Sequence, residues 1–260
     1  MTEFRNKVAI VTGTTGIGRA VALRLAGGGA NVFACGIDEQ ANRDLQQQAD
    51  ARGHALQAEL CDVSRPEQVQ RNVEKAVAKF GGVDYLANCA GIHPFGTVIE
   101  TDPGTWNHCL AVNVGSVYLF AHFAIPEMVK RGGGAIVAIA SVQGHACQRG
   151  VAAYAASKGA VHALIRALAL DHAASRIRAN SISPGSIHTP MLERSAGHFG
   201  PELPVDTVIQ RFGEAHPLGR VGTVEEVAEL TAFLLSDRAS FCTGGDYLVD
   251  GGLLAGVGVQ

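Results

Sequence analysis

Tyr154 and Lys158, in Tyr154-Ala155-Ala156-Ser157-Lys158, are the pair in this chain best suited to chemistry. Four residues apart, they share one face of a helix. An ammonium group there stabilises a phenolate and draws tyrosine down from its unperturbed pKa of about 10 towards working pH. Such a tyrosine can move a proton to or from a carbinol or carbonyl oxygen as a general acid–base. The same spacing also arises as a plain surface pair on amphipathic helices, so its company matters. That company is a glycine-rich turn near the N-terminus, Asn113, and Ser141 thirteen residues before the tyrosine.

The elements that must position these residues are legible as alternating patterns. Val8–Val11, Asn31–Cys35, Ala55–Leu60, Tyr85–Asn88, Gly134–Ala140, Arg178–Ile182 and Tyr247–Val249 are short apolar runs of strand type. Between them, helical spacing predicts helices from Arg19 to the glycines 27–29, over Glu39–Arg52 and over Pro66–Phe80 with Ser64 as cap. Further helices are expected over Thr105–Val129, Ala153–His172 and Thr223–Leu235, the last capped by Thr223. Continuously apolar strands alternating with helices imply a parallel sheet covered on both faces. Right-handed crossovers make this an α/β, single-domain, doubly wound (Rossmann) sheet of about seven strands. One domain spans 1–260, with a cofactor half over about 1–135 and a catalytic and substrate half over about 136–260.

Composition excludes several other classes. The 260 residues are 47% hydrophobic and 17% charged, enough for a large core, and a net charge of −3 without a basic run argues against nucleic-acid partners. No apolar run approaches the roughly 20 residues of a membrane span, and the short polar stretch Met1–Lys7 predicts no signal peptide. Six scattered cysteines without a Cys-x-x-Cys pair, and ten unclustered histidines, predict free thiols, no metal site and a cytoplasmic protein. His93, His108, His122, His162 and His172 are expected to be packing or surface residues.

Thr12-Gly13-Thr14-Thr15-Gly16-Ile17-Gly18, placed between the first strand and its helix, suits a pyrophosphate: small residues admit the backbone, and the helix start offers N–H donors. With Asn88-Cys89-Ala90-Gly91, Asn113, Ser141, Tyr154 and Lys158, this turn resembles the short-chain dehydrogenase/reductase family over essentially the whole chain. Two departures stand out. The turn holds two residues between its first glycines where the family has three, and Gly36 stands at the end of the second strand where NAD enzymes of the family carry an acid. The resemblance implies cofactor contacts from Gly13, Thr15, Gly16, Ile17, Gly18, Asp62, Val63, Asn88, Ala90, Gly91, Tyr154, Lys158, Pro184, Gly185, Ile187 and Thr189. Neither Ile37 nor Thr15 supplies a cation for a 2′-phosphate, and Asp38 lies within reach of the ribose, so NAD is expected over NADP.

By the same resemblance, Ser141 holds the substrate oxygen, Tyr154 exchanges the proton, and Lys158 serves the phenolate and the nicotinamide ribose. Asn113 holds a water joining Lys158 to solvent; a local side-chain-to-backbone bond is its alternative role. Gln143, His145, Gln148, Arg149 and Met191 are expected around the substrate, with Arg149 positioned for a carboxylate. The segment from about 190 to 215 resembles the family's mobile lid. The implied function is hydride transfer between NAD and a small polar secondary alcohol or ketone, such as a sugar, sugar acid or polyol. The alternatives are an NADP-dependent ketone reductase such as a 3-oxoacyl-carrier-protein reductase, and a cofactor-binding sensor without turnover. The family further implies a homotetramer in which the apolar tail Leu253–Gln260 can reach a neighbouring pocket.

Overall fold

A computed structural model describes residues 3–256. Seven strands form one parallel sheet: β1 (Val8–Thr12), β2 (Asn31–Gly36), β3 (Leu56–Leu60), β4 (Tyr85–Asn88), β5 (Gly134–Ile139), β6 (Ile177–Pro184) and β7 (Asp246–Val249). Their order is β3-β2-β1-β4-β5-β6-β7. The chain builds outward from β1 to β3, then crosses back to β4, and the reversal leaves a crevice at the carboxyl ends of β1 and β4. In open α/β sheets that is where ligands bind.

The sheet is covered on both faces because its strands are apolar on both faces. Ala9 and Val11 of β1, with Ala135, Val137 and Ile139 of β5, enter one core cluster; Ile10, Ile136 and Ala138 enter the other. Successive side chains point to opposite faces. Helices α1 (Gly16–Gly27) and α2 (Glu39–Ala51) follow β1 and β2, and α3 (Pro66–Phe80) follows β3. Helix α1 begins three residues before the expected Arg19, at the second glycine of the turn. Ser64 does not cap α3: its hydroxyl donates to Asp62 Oδ1 at 2.6 Å, and Arg65 stands at the cap position with no side-chain capping bond.

The helix expected over Thr105–Val129 starts earlier and is interrupted. Helix α4 (Pro103–Leu110) is capped by Asp102, which accepts from the Thr105 N–H at 3.0 Å. A π-turn over Ala111–Gly115 then leads into α5 (Ser116–Lys130). As one run of 28 residues, Pro103–Lys130 is long and apolar enough by composition to cross a membrane, which corrects the expectation that no such run exists; its buried residues, among them Phe120, Ala124 and Met128, lie in the core.

Helix α6 (Ala152–His172) crosses from β5 to β6. The segment expected as a lid is two helices, α7 (Pro190–Phe199) and α8 (Val205–Glu214), packed on each other through Ala196, Val208 and Ile209. Helix α9 (Val224–Leu235) begins with a full capping box between Thr223 and Glu226. Leu253 and Leu254 line the chain's own crevice, while residues 257–260 of the tail lie outside the described residues.

Candidate active site

Helix α6 is alanine-rich, which favours helix and lets its backbone lie close to β6. Its start is held by the bond from the Gly96 N–H to the Gly150 carbonyl at 2.7 Å, beside a bridge between Gly96 and Val151. Tyr154 and Lys158, one turn apart, are therefore fixed where α6 leaves the carboxyl edge of the sheet, and both are buried, at 8% and 4% exposure. Lys158 Nζ lies 5.4 Å from the Tyr154 ring centroid and donates to the Ile139 carbonyl at 2.8 Å. Ser141 lies two residues beyond the end of β5; its Oγ accepts from the Gln143 N–H at 3.1 Å.

Burial dominates the electrostatics. It pushes the Tyr154 phenol up to about 12, against the hydrogen-bonding pull of Ser141, and pushes Lys158 down to about 8. Desolvation disfavours the charged form of each. The expectation that the ammonium draws the phenol below its ordinary value is not met: Lys158 spends its short bond on a carbonyl, and Tyr154 rests as a phenol.

Asn113 sits in the π-turn, a feature concentrated at functional sites. Its Oδ1 accepts from the Ile92 N–H at 2.8 Å, while Nδ2 donates to the Ile92 carbonyl and to Ser157 Oγ, each at 2.9 Å. These bonds join segments far apart in sequence, so the alternative of a purely local bond does not describe it. They pin Gly91 beside the lysine, where an added β-carbon would lie 3.4 Å from Asn113 Oδ1 and 3.7 Å from Lys158 Nζ.

The glycine turn is built by close approach. Gly13 and Gly16 have φ of +85° and +48°, conformations that disfavour side chains. A β-carbon on Gly18 would overlap the Gly13 carbonyl, so α1 can sit this close to β1 only with glycine there. Thr12 Oγ1 accepts from the N–H groups of Cys89 and Ala90, both at 3.0 Å, tying the turn to the end of β4. The two departures noted in the sequence prove to be one feature. The buried Thr14 side chain of the shortened turn occupies the place where a side chain on residue 36 would begin, and a β-carbon on Gly36 would overlap Thr14 Oγ1.

Two adjoining cavities follow the crevice. One of about 260 Å³ is lined by the whole glycine turn, Asp38, Asp62, Val63, Ala90 and Gly91. The other, of about 800 Å³, is lined by Ser141, Gln143, Tyr154, Lys158, the segment 184–187 and Gln148. Ile17, Cys89, Gly91, Thr189 and Met191 line both. Asp38 caps α2, its Oδ1 accepting from the N–H groups of Gln40 and Ala41. Asn88 lies beneath the crevice, buried, with neither side-chain polar atom bonded.

Two expected substrate residues are not there. Arg149 is exposed and lines neither cavity, because the chain turns outward before Gly150 meets Gly96. His145 is drawn away to β7, where its Nε2 lies 2.7 Å from Asp246 Oδ2. His162, bonded to Ser183 Oγ, completes a His145–His162–Asp246 group outside the cavities.

In their place is a residue expected to be in the packing or at the surface. His93 lines the larger cavity with its ring edge-on to Tyr154, centroids 4.2 Å apart. Burial, with Lys158 and Arg194 nearby, pushes it down to about 4, so it is a neutral imidazole at working pH. Its position two residues after the Asn-Cys-Ala-Gly run was the available signal.

A doubly wound sheet, a glycine turn shaped for a pyrophosphate at its switch point, and a serine, tyrosine and lysine at its carboxyl edge define a nicotinamide-dependent oxidoreductase. Residues 11–254 match the family described as enoyl-(acyl carrier protein) reductase. The chain is 38% identical over 258 residues to a cyclohexanol dehydrogenase of Acinetobacter sp. (strain SE19), covering 96% of this chain and 95% of that protein. Among solved structures it resembles the ligand-free aldohexose dehydrogenase of Thermoplasma acidophilum (34% identity, TM-score 0.91, 100% of this chain and 98% of that one). It also resembles an actinorhodin polyketide ketoreductase with NADPH (32% identity, TM-score 0.92, 95% and 97%). The chain belongs to the short-chain dehydrogenase/reductase family and is an oxidoreductase of the NAD(P)-dependent alcohol dehydrogenase type.

Proposed function

We propose that the protein oxidises a small polar secondary alcohol with NAD, and that this alcohol is a sugar, sugar acid or polyol. The observation that carries this reading is the meeting of Ser141, Tyr154 and Lys158 on a cavity of about 800 Å³ that continues into the glycine-turn crevice. The dinucleotide supplies the hydride acceptor. Ser141 holds the carbinol oxygen; in oxidation Tyr154 first gives up its own proton towards solvent along the Lys158–Asn113 water path and, as phenolate, takes the carbinol proton, while in reduction the resting phenol donates, and Lys158 keeps a cation beside both phenolate and ribose. Asn113 holds the Gly91–Ile92 segment against α6 and, through water, links the lysine to solvent.

A polyhydroxylated substrate is supported by Gln143, Gln148 and His93 on the cavity wall, and by the likeness to an aldohexose dehydrogenase. With Arg149 outside, a substrate carboxylate would have to meet Arg211 of α8, which lines this cavity. NAD is supported by the absence of a basic side chain at Thr15 or Ile37, and by Asp38, whose Oδ1 takes both capping bonds and leaves Oδ2 for a ribose hydroxyl. We further propose a homotetramer: β7 is a sheet edge, and Leu170, Phe241 and Leu248 are exposed apolar side chains suited to a subunit contact.

The test is a panel of sugars, aldonic acids, polyols and cyclohexanol with NAD⁺ and NADP⁺, following reduced cofactor. Turnover of a polyol or sugar with NAD⁺ supports the reading. Turnover confined to cyclohexanol removes the sugar assignment, and NADPH-driven reduction of an acyl thioester replaces it with the reductase.

A further inference from the structure

The cavity around the glycine turn has an unusual charge inventory. Asp38 and Asp62 line it, yet the ligand expected there brings a diphosphate of its own negative charge. The N–H groups and positive dipole end of α1 offset part of this. The turn adds no cation, since Thr14 and Thr15 fill it. Arg19, in the first turns of α1, is turned away: its Nε donates to Gln48 Oε1 of α2 at 3.2 Å, and it does not line the cavity.

One guanidinium does line it. Arg194 lies on α7, four residues after Pro190, at the face of the lid helix that looks on the turn. The start of α7 rests on the turn itself, for an added β-carbon on Gly16 would lie 3.1 Å from Thr189 Cγ2. Arg194 is exposed, and among the described residues it forms no ion pair or side-chain hydrogen bond. The adjacent Glu193 is directed instead to His188, at 3.5 Å. The field of Arg194 is felt as far as His93 in the inner cavity. An unpaired guanidinium lining the same cavity as a helix N-terminus is positioned for an anion placed between them.

We propose that Arg194 is a cofactor-binding residue which clamps the dinucleotide diphosphate from the lid, opposite the N-terminus of α1. The proposal rests on the reading that this crevice binds a nicotinamide dinucleotide. It brings a cation to the turn from another element, and makes the seating of α7 depend on the cofactor. Because α7 and α8 share the Ala196, Val208 and Ile209 cluster, and Met191 lines both cavities, the same clamp fixes one wall of the substrate cavity.

The experiment is a fluorescence titration of the full chain with NADH and NADPH at several salt concentrations, for the wild type, R194K, R194Q and R194E, with melting curves to confirm folding. ADP-ribose and AMP serve as competitors. R194Q should weaken NADH and ADP-ribose by about tenfold, leave AMP nearly unchanged and flatten the salt dependence, with R194K intermediate and R194E weakest. NADH should also protect the lid from chymotrypsin in the wild type but not in R194Q. Weakening of NADPH alone would overturn the diphosphate assignment in favour of a 2′-phosphate contact, and equal affinities in folded variants would overturn it outright. A wild type that binds neither NADH nor NADPH would overturn the cofactor reading itself, and the clamp with it.

Discussion

The two ends of the crevice are built on different principles. At the cofactor end, backbone is approached too closely to admit a β-carbon: Gly18 lies against the Gly13 carbonyl and Gly36 against the Thr14 side chain, while Thr12 Oγ1 is held by two N–H groups. At the other end the wall is side chains on a loop and on helices α7 and α8. There Gln143 bonds mainly to Gln148, whose N–H donates to Gln143 Oε1 at 2.7 Å. Such a wall constrains where side chains stand far more than which they are. Cofactor chemistry is therefore written in residue types, and substrate identity in their placement.

Breaking the proposed catalytic centre, where the two ends meet, should have the largest effect. Tyr154→Phe is expected to lower turnover by about 10²–10⁴-fold, with NADH affinity in a direct titration essentially unchanged; retained turnover would remove the tyrosine from its role. Lys158→Met should abolish turnover while stabilising the fold. Lys158 falls from 10.5 to about 8 on burial, so the unfolded chain binds more protons between those values. The penalty is full below pH 8 and lifts as pH rises towards 10.5. At pH 7 the variant should gain up to about 3 kcal/mol, and denaturant titrations at pH 7 and 9.5 should show that gain shrinking. Tyr154 acts oppositely only above pH 10, where the unfolded phenol ionises first.

The close clearances come next. Gly18→Ala should cost about 1–3 kcal/mol of stability through overpacking and weaken NADH binding, read by chemical denaturation and titration. An unchanged midpoint would show that the turn can yield. Gly36→Asp, which restores the acid that NAD enzymes of the family carry, should destabilise by about 1 kcal/mol without tightening NAD. Adding Thr14→Ala should recover that stability, because the two side chains compete for one space. Smallest is Gln143→Ala: a surface-type change in melting behaviour, within about 0.5 kcal/mol, but a selective fall in kcat/KM for polyols relative to cyclohexanol. A uniform fall would mean that the wall holds the loop rather than the substrate.

Much of this contrast was legible beforehand. The seven strands, the turn and the register of Tyr154 with Lys158 follow from local periodicity. Asn113 falls inside the helix expected over Thr105–Val129, where an interior asparagine is unfavourable. The π-turn that presents it was not legible, since it is held by bonds to Ile92 and Ser157, the latter 44 residues away. Arg149 and His145 were misplaced because a loop's direction is decided by distant anchors, here Asp246, 101 residues from His145. Ser64 has the composition of a helix cap, but Asp62 captured its hydroxyl. The shortened turn and Gly36 were each visible as departures, and nothing local linked them.

The sequence by itself determined what short-range forces decide: strand against helix, the glycines a tight turn demands, and which residue types share a helical face. Only the tertiary structure decided which of those faces meet. It buried Tyr154 and Lys158 together so that desolvation governs both, set Thr14 into the space above Gly36, and turned His93 and Arg194 into the crevice and Arg149 out of it. Those outcomes depend on volume, burial and through-space charge between segments far apart in the chain, and no pattern of neighbours in sequence encodes them one residue at a time.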